Sequence, residues 1–191
     1  MIRRRLRGIC PPGKILFHPM NTIASYILIL FLMSGCASPF TSFTDEETKN
    51  HIVRMNGNRL AGGITSLELN AQQFSKNNQI TYSLFIVYAG PIFLNVGPGK
   101  TLTLIIDGQR NEIDGSGSEK HRNVLSLGLV EEVAYYHDLE PSLIKRLAYA
   151  KEVEVEVQGS AKTLKRYFKK KNFSRFKEFC DLYMDKTAFR P

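Results

Sequence analysis

One short segment carries residue types that perform acid–base chemistry in other proteins. His137 and Asp138 are adjacent and follow two tyrosines, so an imidazole and a carboxylate could share a proton in a pocket. Together with Glu140 they would suit a periplasmic enzyme, for example a hydrolytic one, with a site built from loops. The competing interpretation is a surface histidine at the end of a strand. The sequence contains neither the Gly-x-Ser-x-Gly nor the His-Glu-x-x-His pattern of hydrolases.

A second segment, residues 97–101 (GPGKT), ends like a nucleotide-binding loop. The full loop needs a glycine six residues before the lysine, and Leu94 stands there. It must also open a helix, whereas residues 101–106 (TLTLII) predict a strand. We therefore predict a turn. His51, His121 and His137 lack metal-ligand spacing, so the sequence implies no metal and no cofactor.

The chain has three cysteines, at positions 10, 36 and 180. Cys180 shares helical spacing with Phe173, Phe176 and Tyr183, which predicts a core position and an unreactive thiol. A disulfide framework would need paired cysteines in the folded part of the chain. The other two cysteines lie in or beside an apolar leader, so we expect no such framework.

The leader contains an uncharged apolar run, residues 23–33 (IASYILILFLM), preceded by five basic residues and no acidic residue. Eleven residues are too few to cross a bilayer as a helix, which takes about 20, but they match the apolar region of a signal peptide. The run ends in Met33-Ser34-Gly35-Cys36. This resembles the lipobox of bacterial lipoproteins. The resemblance implies cleavage between Gly35 and Cys36, a lipid thioether on Cys36, and palmitate on the new amino terminus.

The resemblance also implies a location. A lipidated Cys36 would hold the protein to a membrane of the cell envelope, and Ala37 after the cysteine favours the outer membrane, facing the periplasm. Two start sites, Met1 and Met20, stay open, although starting at Met20 would remove every basic residue from the leader. The net charge of +8 does not indicate a nucleic-acid partner, because the leader carries most of that charge. Export would also separate the protein from nucleic acid.

The densest positive charge lies near the carboxyl end of the chain. In an anchored protein this stripe could contact anionic lipid or an acidic envelope protein. The competing interpretation is a solvated outer face of a helix. The residues predicted to form this surface are Lys162, Lys165, Arg166, Lys169, Lys170 and Lys171.

With the resemblance, the sequence predicts a signal peptide (1–35), a lipidated cysteine with a flexible tether (36–48), and one globular domain (49–191). Alternating or β-branched runs predict strands at 64–69, 80–88, 92–96, 101–106, 109–113 and within 124–136. Asp107-Gly108 predicts a type I′ hairpin, and residues 114–118 (DGSGS) a second loop.

The last third of the chain changes character. Pro141 opens a short predicted helix to Ala150. Residues 151–159 (KEVEVEVQG) predict a half-buried strand. Helical spacing then runs from Ala161 to about Met184, with Asn172 as a break between two helices. The predicted class is α+β: an antiparallel sheet or sandwich with a short helix and a carboxyl-terminal amphipathic helix packed on one side.

These observations favour a membrane-anchored envelope lipoprotein that acts as a non-enzymatic binding or assembly module. Two alternatives remain open. One is the periplasmic enzyme with a site near His137, which a clustered pocket would favour and an open surface would not. The other is an inhibitor or immunity-type protein, which would present a rigid exposed loop at Gly115–Ser118.

Overall fold

The computed structural model describes residues 38–122, 129–160 and 162–185. They form two antiparallel sheets, one of six strands in the order β1-β2-β3-β4-β8-β7 and one of four in the order β10-β9-β5-β6. Side chains from both sheets and from the helices belong to a single hydrophobic core. The predicted α+β class, with a short and a carboxyl-terminal helix against a sandwich, is confirmed.

The bounds of the elements follow from the backbone. The strands are β1 (Phe40–Thr44), β2 (His51–Met55), β3 (Ser66–Lys76), β4 (Gln79–Gly90), β5 (Pro98–Ile106), β6 (Gln109–Ser116), β7 (Ser118–Arg122), β8 (Val130–Tyr136), β9 (Val153–Gln158) and β10 (Thr163–Tyr167). The helices are α1 (Pro141–Tyr149) and α2 (Lys170–Phe179), and a π-helical turn (Cys180–Met184) follows α2.

The predicted type I′ hairpin joins β5 to β6. Asp107 and Gly108 both have positive φ, 47° and 81°, as this turn requires. A second turn with the same signature joins β3 to β4, where Asn77 and Asn78 have φ of 50° and 63°. Asparagine tolerates this region better than other residues with a Cβ, so Asn-Asn was a usable hairpin signal that the sequence analysis missed.

The alternation in residues 151–159 is confirmed as β9. Val153, Val155 and Val157 are buried in the core. Glu154 and Glu156 lie on the other face, where both pair with Lys165 of β10. The strand is therefore half-buried between an apolar layer and a charged surface, as the alternation requires.

The predicted helix from Ala161 to Met184 is wrong in its first part. Residues 163–167 form β10, which pairs with β9 from Thr163 opposite Gln158 to Tyr167 opposite Glu154. The physical reason is that β9 offers an unpaired edge only a few residues earlier, and hairpin pairing satisfies more backbone groups than a short isolated helix would. The helix begins only at Lys170.

Asn172 starts this helix instead of breaking it. Its Oδ1 accepts a hydrogen bond of 2.7 Å from the backbone N–H of Lys169, in the manner of a capping box. Its side-chain N–H groups donate to Asn58 Oδ1 (2.8 Å) and to the carbonyl of Arg59 (3.0 Å). The capping residue thereby ties the start of α2 to the segment that precedes β3.

Three other boundaries differ from the expectation. Residues 40–44, assigned to the tether, form β1 because their backbone pairs with β2. Residues 92–96 are not a strand, since they carry the chain from one sheet to the other. Residues 118–122 form β7, which was not predicted. The strand predicted within 124–136 is observed from Val130, and residues 123–128 lie outside the described part of the chain. Within the described ranges, neither helix has the length and apolarity needed to cross a bilayer.

Candidate functional site

The predicted lipidation site, Gly35 and Cys36, lies outside the described residues, which begin at Ser38. The chain enters the domain through Ser38, whose Oγ accepts a hydrogen bond of 3.2 Å from the backbone N–H of Phe40. Phe40 packs against Phe179 and Tyr183 of the carboxyl-terminal segment. The chain is therefore fixed to the core at Phe40, four residues after the position of Cys36.

The predicted basic surface is divided between two elements. Lys162 is exposed just before β10, with its Nζ 6.0 Å from the centre of the Tyr88 ring. Lys165 is also exposed, but its Nζ contacts the carboxylates of Glu154 and Glu156, which raise the pKa of the lysine. Lys165 thus belongs to a surface ion-pair network and is less available to a partner than its sequence position suggested.

Arg166 corrects the prediction of a surface residue. Only 7% of it is exposed, because the inward-facing side of β10 carries Leu164 and Arg166 together. Its guanidinium donates to the carbonyl (3.4 Å) and the Oγ1 (3.0 Å) of Thr65, and it packs on Gly63, where a Cβ would clash. Arg166 fixes the loop before β3 and does not take part in the basic surface.

Lys169, Lys170 and Lys171 form a second basic group at the start of α2, and all three are exposed. Backbone N–H groups at a helix start already carry partial positive charge, so three lysines there concentrate positive potential instead of compensating it. The first turn of α2 has no acidic residue. Within the part of the chain that the structure describes, no carboxylate forms an ion pair with any of these three lysines.

His137 lies at the end of β8, on the face of the six-stranded sheet that points away from the core. Its ring stacks on Tyr135 at 5.9 Å and lies 6.2 Å from Phe74, while Tyr135 contacts Phe85 at 5.8 Å. We call Phe74, Phe85, Tyr135 and His137 the aromatic cluster. The guanidinium of Arg54 covers the Phe85 ring at 4.9 Å.

Two open depressions meet at His137. The first, which we call the His137 groove, has a volume of about 420 Å³ and the second about 440 Å³. Seven side chains line the His137 groove: Asn50, Phe74, Lys76, Gln79, Thr81, His137 and Asp138. Apolar ring surface beside lysine, amide and hydroxyl groups suits the recognition of a polypeptide or another polar surface.

The geometry around His137 is unlike a preorganised acid–base pair. His137 and Asp138 are both exposed, and the backbone of Asp138 turns into the left-handed region with φ of 53°. Within the described ranges, no hydrogen bond joins the His137 ring to Asp138 or Glu140. Among the residues that the structure describes, no three His, Cys, Asp or Glu side chains cluster in a way that could hold a metal ion.

The segment Gly115–Ser118, expected as a protruding loop, packs against the fold instead. A Cβ on Gly115 would lie within 3 Å of the Tyr136 ring, and Gly117 lies against the backbone of residues 96–98. The backbone N–H of Ser118 donates to the carbonyl of Val96 at 3.1 Å. This segment is a tight link between the two sheets.

Glu132 is a buried carboxylate that the sequence analysis missed. It is 1% exposed and accepts hydrogen bonds from the backbone N–H groups of residues 94, 95 and 96, at 2.6, 3.0 and 2.6 Å. The hydroxyl of Ser118 donates a fourth, at 2.5 Å. Burial raises the pKa of this carboxyl, but the four hydrogen bonds outweigh burial and lower it overall. Glu132 holds the crossover between the sheets.

Cys180 is fully buried, as predicted, and burial raises the pKa of its thiol to about 11. It is the only free cysteine within the described part of the chain. A buried thiol with a raised pKa is a packing group, because the thiolate is the reactive form.

The exposed apolar side chains outside the aromatic cluster, Ile64 above all, could be found only from the structure.

The comparisons add no assignment to this geometry: no family model matches the chain, and no curated protein matches its sequence.

Proposed function

We propose that this chain is a lipid-anchored protein of the bacterial cell envelope that acts as a non-enzymatic binding or assembly module. In this proposal Cys36 carries the lipid, the outer membrane holds the protein facing the periplasm, and the His137 groove receives another envelope protein. The partner class is a protein with an exposed polar segment, because the groove combines ring faces with amide, hydroxyl and lysine groups.

The anchor is supported by the leader and by the position of the first strand. The apolar run is too short to span a bilayer, and it ends directly in Ser34-Gly35-Cys36. The folded domain begins at Phe40, so only three residues separate it from Cys36. A lipid on Cys36 would hold the domain close to the membrane surface.

The binding role depends on one observation: the surface around His137 is open and bordered by the aromatic cluster. Enclosed sites that exclude water favour catalysis, whereas open surfaces with aromatic side chains are typical of protein recognition. His137 stacks flat on Tyr135, with 12° between the ring planes, and so presents its outer ring face and edges to solvent.

Metabolic labelling tests the anchor. In a bacterial host, the unaltered chain should incorporate palmitate and mature to a shorter form. Cys36→Ala should abolish labelling and leave the precursor, because no thiol receives the lipid. Cys180→Ala is the matched control and should still be labelled. Equal labelling of the Cys36→Ala chain would refute the assignment.

Site-specific photo-crosslinking tests the groove. A photoreactive amino acid at Thr81 or His137 should give a discrete adduct with an envelope protein in living cells. The same residue at Tyr149, which is 58% exposed on α1 and outside the groove, is the control. Adducts of equal yield at all three positions, or at none, would remove the groove from the proposal.

The periplasmic enzyme remains the second candidate, favoured by one observation. His137, Asp138 and Glu140 all line the second depression. If this group acts on a substrate, purified chain should hydrolyse generic ester or peptide substrates, and His137→Ala should lower kcat while leaving Tm unchanged. Hydrolysis unaffected by His137→Ala would exclude this site from catalysis.

A further inference from the structure

Ile64 is the most exposed large apolar side chain in the described part of the chain. It is fully exposed at the tip of the loop before β3. The loop is shaped by Gly62 and Gly63, whose φ values of 98° and 77° favour glycine. Arg166 holds the base of the loop through Thr65. The base of the loop is therefore held in place, and its tip presents Ile64 directly to solvent.

Other exposed apolar residues lie at the same end of the molecule. Ser66 pairs with Ala89 and Val130 pairs with Gly90, so the starts of β3 and β8 meet the end of β4. This brings together the residues just beyond those strand ends. We call this surface the apolar end, formed by Ile64, Ile92, Leu129 and Tyr167.

Tyr167 joins this surface from the four-stranded sheet. Its backbone pairs with Ala61 through two hydrogen bonds, of 2.9 and 3.1 Å, and its ring lies beside Gly62. Half of Tyr167 is exposed, compared with 58% of Ile92 and 42% of Leu129. An exposed tyrosine of the four-stranded sheet thus lies beside the loop that carries Ile64.

Lysines border the apolar end. Lys162 lies over Tyr88, two residues before Gly90, and Lys120 lies 5.8 Å from the ring of Phe93, next to Ile92. The start of α2 also lies at this end. Asn172 in its first turn donates to the carbonyl of Arg59, two residues before Ala61, and Ala61 pairs with Tyr167. Lys169, Lys170 and Lys171 therefore stand close to Tyr167.

The length of chain before β1 would allow an anchor at Cys36 on this side of the domain. β1 runs in the same direction as β3, and Thr41 is level with Arg54, which pairs with Gln72. Gln72 is six residues from the start of β3, a distance of about 20 Å along the strand. Five residues separate Thr41 from Cys36 and can span about 17 Å. The covalent chain lets Cys36 reach nearly the height of the apolar end.

We infer that the apolar end is a membrane-contact surface that docks on an anionic lipid bilayer. This rests on the proposed anchor at Cys36 and adds the orientation of the domain. Apolar tips and a tyrosine surrounded by lysines match the interfacial region, where rings and apolar side chains enter and lysines meet anionic head groups. A lipid anchor would raise the effective concentration of this surface at the membrane, so a weak contact would be enough to orient the domain.

Depth-dependent fluorescence quenching tests this orientation. The full chain is matured in a bacterial host and reconstituted into vesicles of phosphatidylcholine with phosphatidylglycerol, with Ile64→Cys carrying an NBD fluorophore. Cys180 is buried, which leaves one accessible thiol in the lipidated protein. Tyr149→Cys with the same label is the matched control, because Tyr149 is 58% exposed on α1, in a depression lined by Ile106, Asp107 and Arg146, and does not belong to the apolar end.

The label at position 64 should shift to shorter wavelength and be quenched by brominated lipids severalfold more than the label at 149. Weaker quenching in pure phosphatidylcholine would show the role of the lysines. A palmitate-labelled chain without quenching at 64 overturns the inference and leaves the anchor intact. Quenching at 64 without palmitate overturns the anchor but supports the surface. A shift at 64 that requires an added envelope protein assigns the surface to that protein and also overturns the inference.

Discussion

At the scale of the residue, the best-defined polar group is Glu132. One carboxylate accepts four hydrogen bonds and fixes the segment that passes from β4 in one sheet to β5 in the other. Residues 94–96 have no strand partner for these N–H groups, so the side chain supplies what a sheet would otherwise supply. The junction of the two sheets depends on the charge state of this carboxyl.

Glu132→Gln should lower the free energy of unfolding by about 1–3 kcal/mol, because an amide group then faces buried N–H donors that a carboxylate had satisfied. Urea denaturation at pH 7 measures the change. Glu119→Gln is the control, since its side chain is 70% exposed on neighbouring β7. A Glu132→Gln chain as stable as the control would mean that the crossover is held by other contacts.

The same carboxyl predicts how stability depends on pH. Its folded pKa lies below the ordinary glutamate value of 4.5, so its stabilisation is fully present above pH 4.5 and is lost as pH falls through the lower, folded pKa. The difference in unfolding free energy between the unaltered chain and Glu132→Gln should therefore shrink below pH 4.5. A difference that stays constant across this range would contradict the lowered pKa.

At the scale of the element, α2 is held by a buried asparagine network. Asn58, Asn70 and Asn172 are at most 2% exposed. Asn58 donates from its backbone to Asn70 Oδ1 at 3.0 Å and receives a hydrogen bond from Asn172 at 2.8 Å. The network links β3, the segment before it and the first turn of the helix.

Asn172→Ala should lower the free energy of unfolding by about 2–3 kcal/mol, since it removes a helix cap and leaves buried acceptors unpaired. Amide hydrogen exchange should rise first in α2, which loses its attachment to residues 58 and 59. Ser174→Ala is the matched control on the exposed side of the same helix, where Ser174 bonds only Lys170. Equal protection of α2 in both variants would contradict the network's role.

Elements with a local signal were predictable from sequence, and those formed by distant pairing were not. The prediction of β9 was correct because three valines alternate with glutamates, and the prediction of α1 was correct because Pro141 marks its start. β10 was missed because Leu164 and Phe168 have helical spacing, while its strand form depends on an edge of β9. β1 was missed for the same reason, since its short polar sequence becomes a strand only beside β2.

The same distinction applies to the candidate site. The sequence correctly placed Cys180 in the core from the spacing of its apolar neighbours. It misplaced Arg166, because a helix assumed over 161–184 put every basic residue on one outer face, whereas β10 alternates and turns Arg166 inward. Ile64 gave no sequence signal of exposure, since alternation predicted it at the start of a strand.

At the scale of the whole molecule, positive charge collects around the apolar end. Lys162 and the lysines that open α2 border the apolar end, and the glutamates of β9 lie on the outer face of the four-stranded sheet. Placing lysines at the positive end of a helix is electrostatically unfavourable for folding. A surface that meets anionic lipid would account for their position.

Replacing Lys169, Lys170 and Lys171 with Glu distinguishes an effect on lipid binding from an effect on the stability of the fold. Negative charge at the start of α2 favours the helix, so Tm should hold or rise. Attraction to anionic lipid should fall, since each lysine near such a surface contributes about 1 kcal/mol. The difference in quenching of the Ile64→Cys label between anionic and neutral vesicles should then fall severalfold, with Lys120 and Lys162 left to maintain the remainder. Lys49, Lys145 and Lys177, three exposed lysines outside the apolar end, give a control of identical net charge when replaced with Glu. Lys49 follows Thr48, which bonds Lys76 at the far end of β3, Lys145 lies on α1, and Lys177 lies against Tyr149. That control should keep the preference for anionic lipid. If both triple variants keep it, the lysines of α2 form only a solvated surface; if both lose it, overall charge and not this surface governs binding.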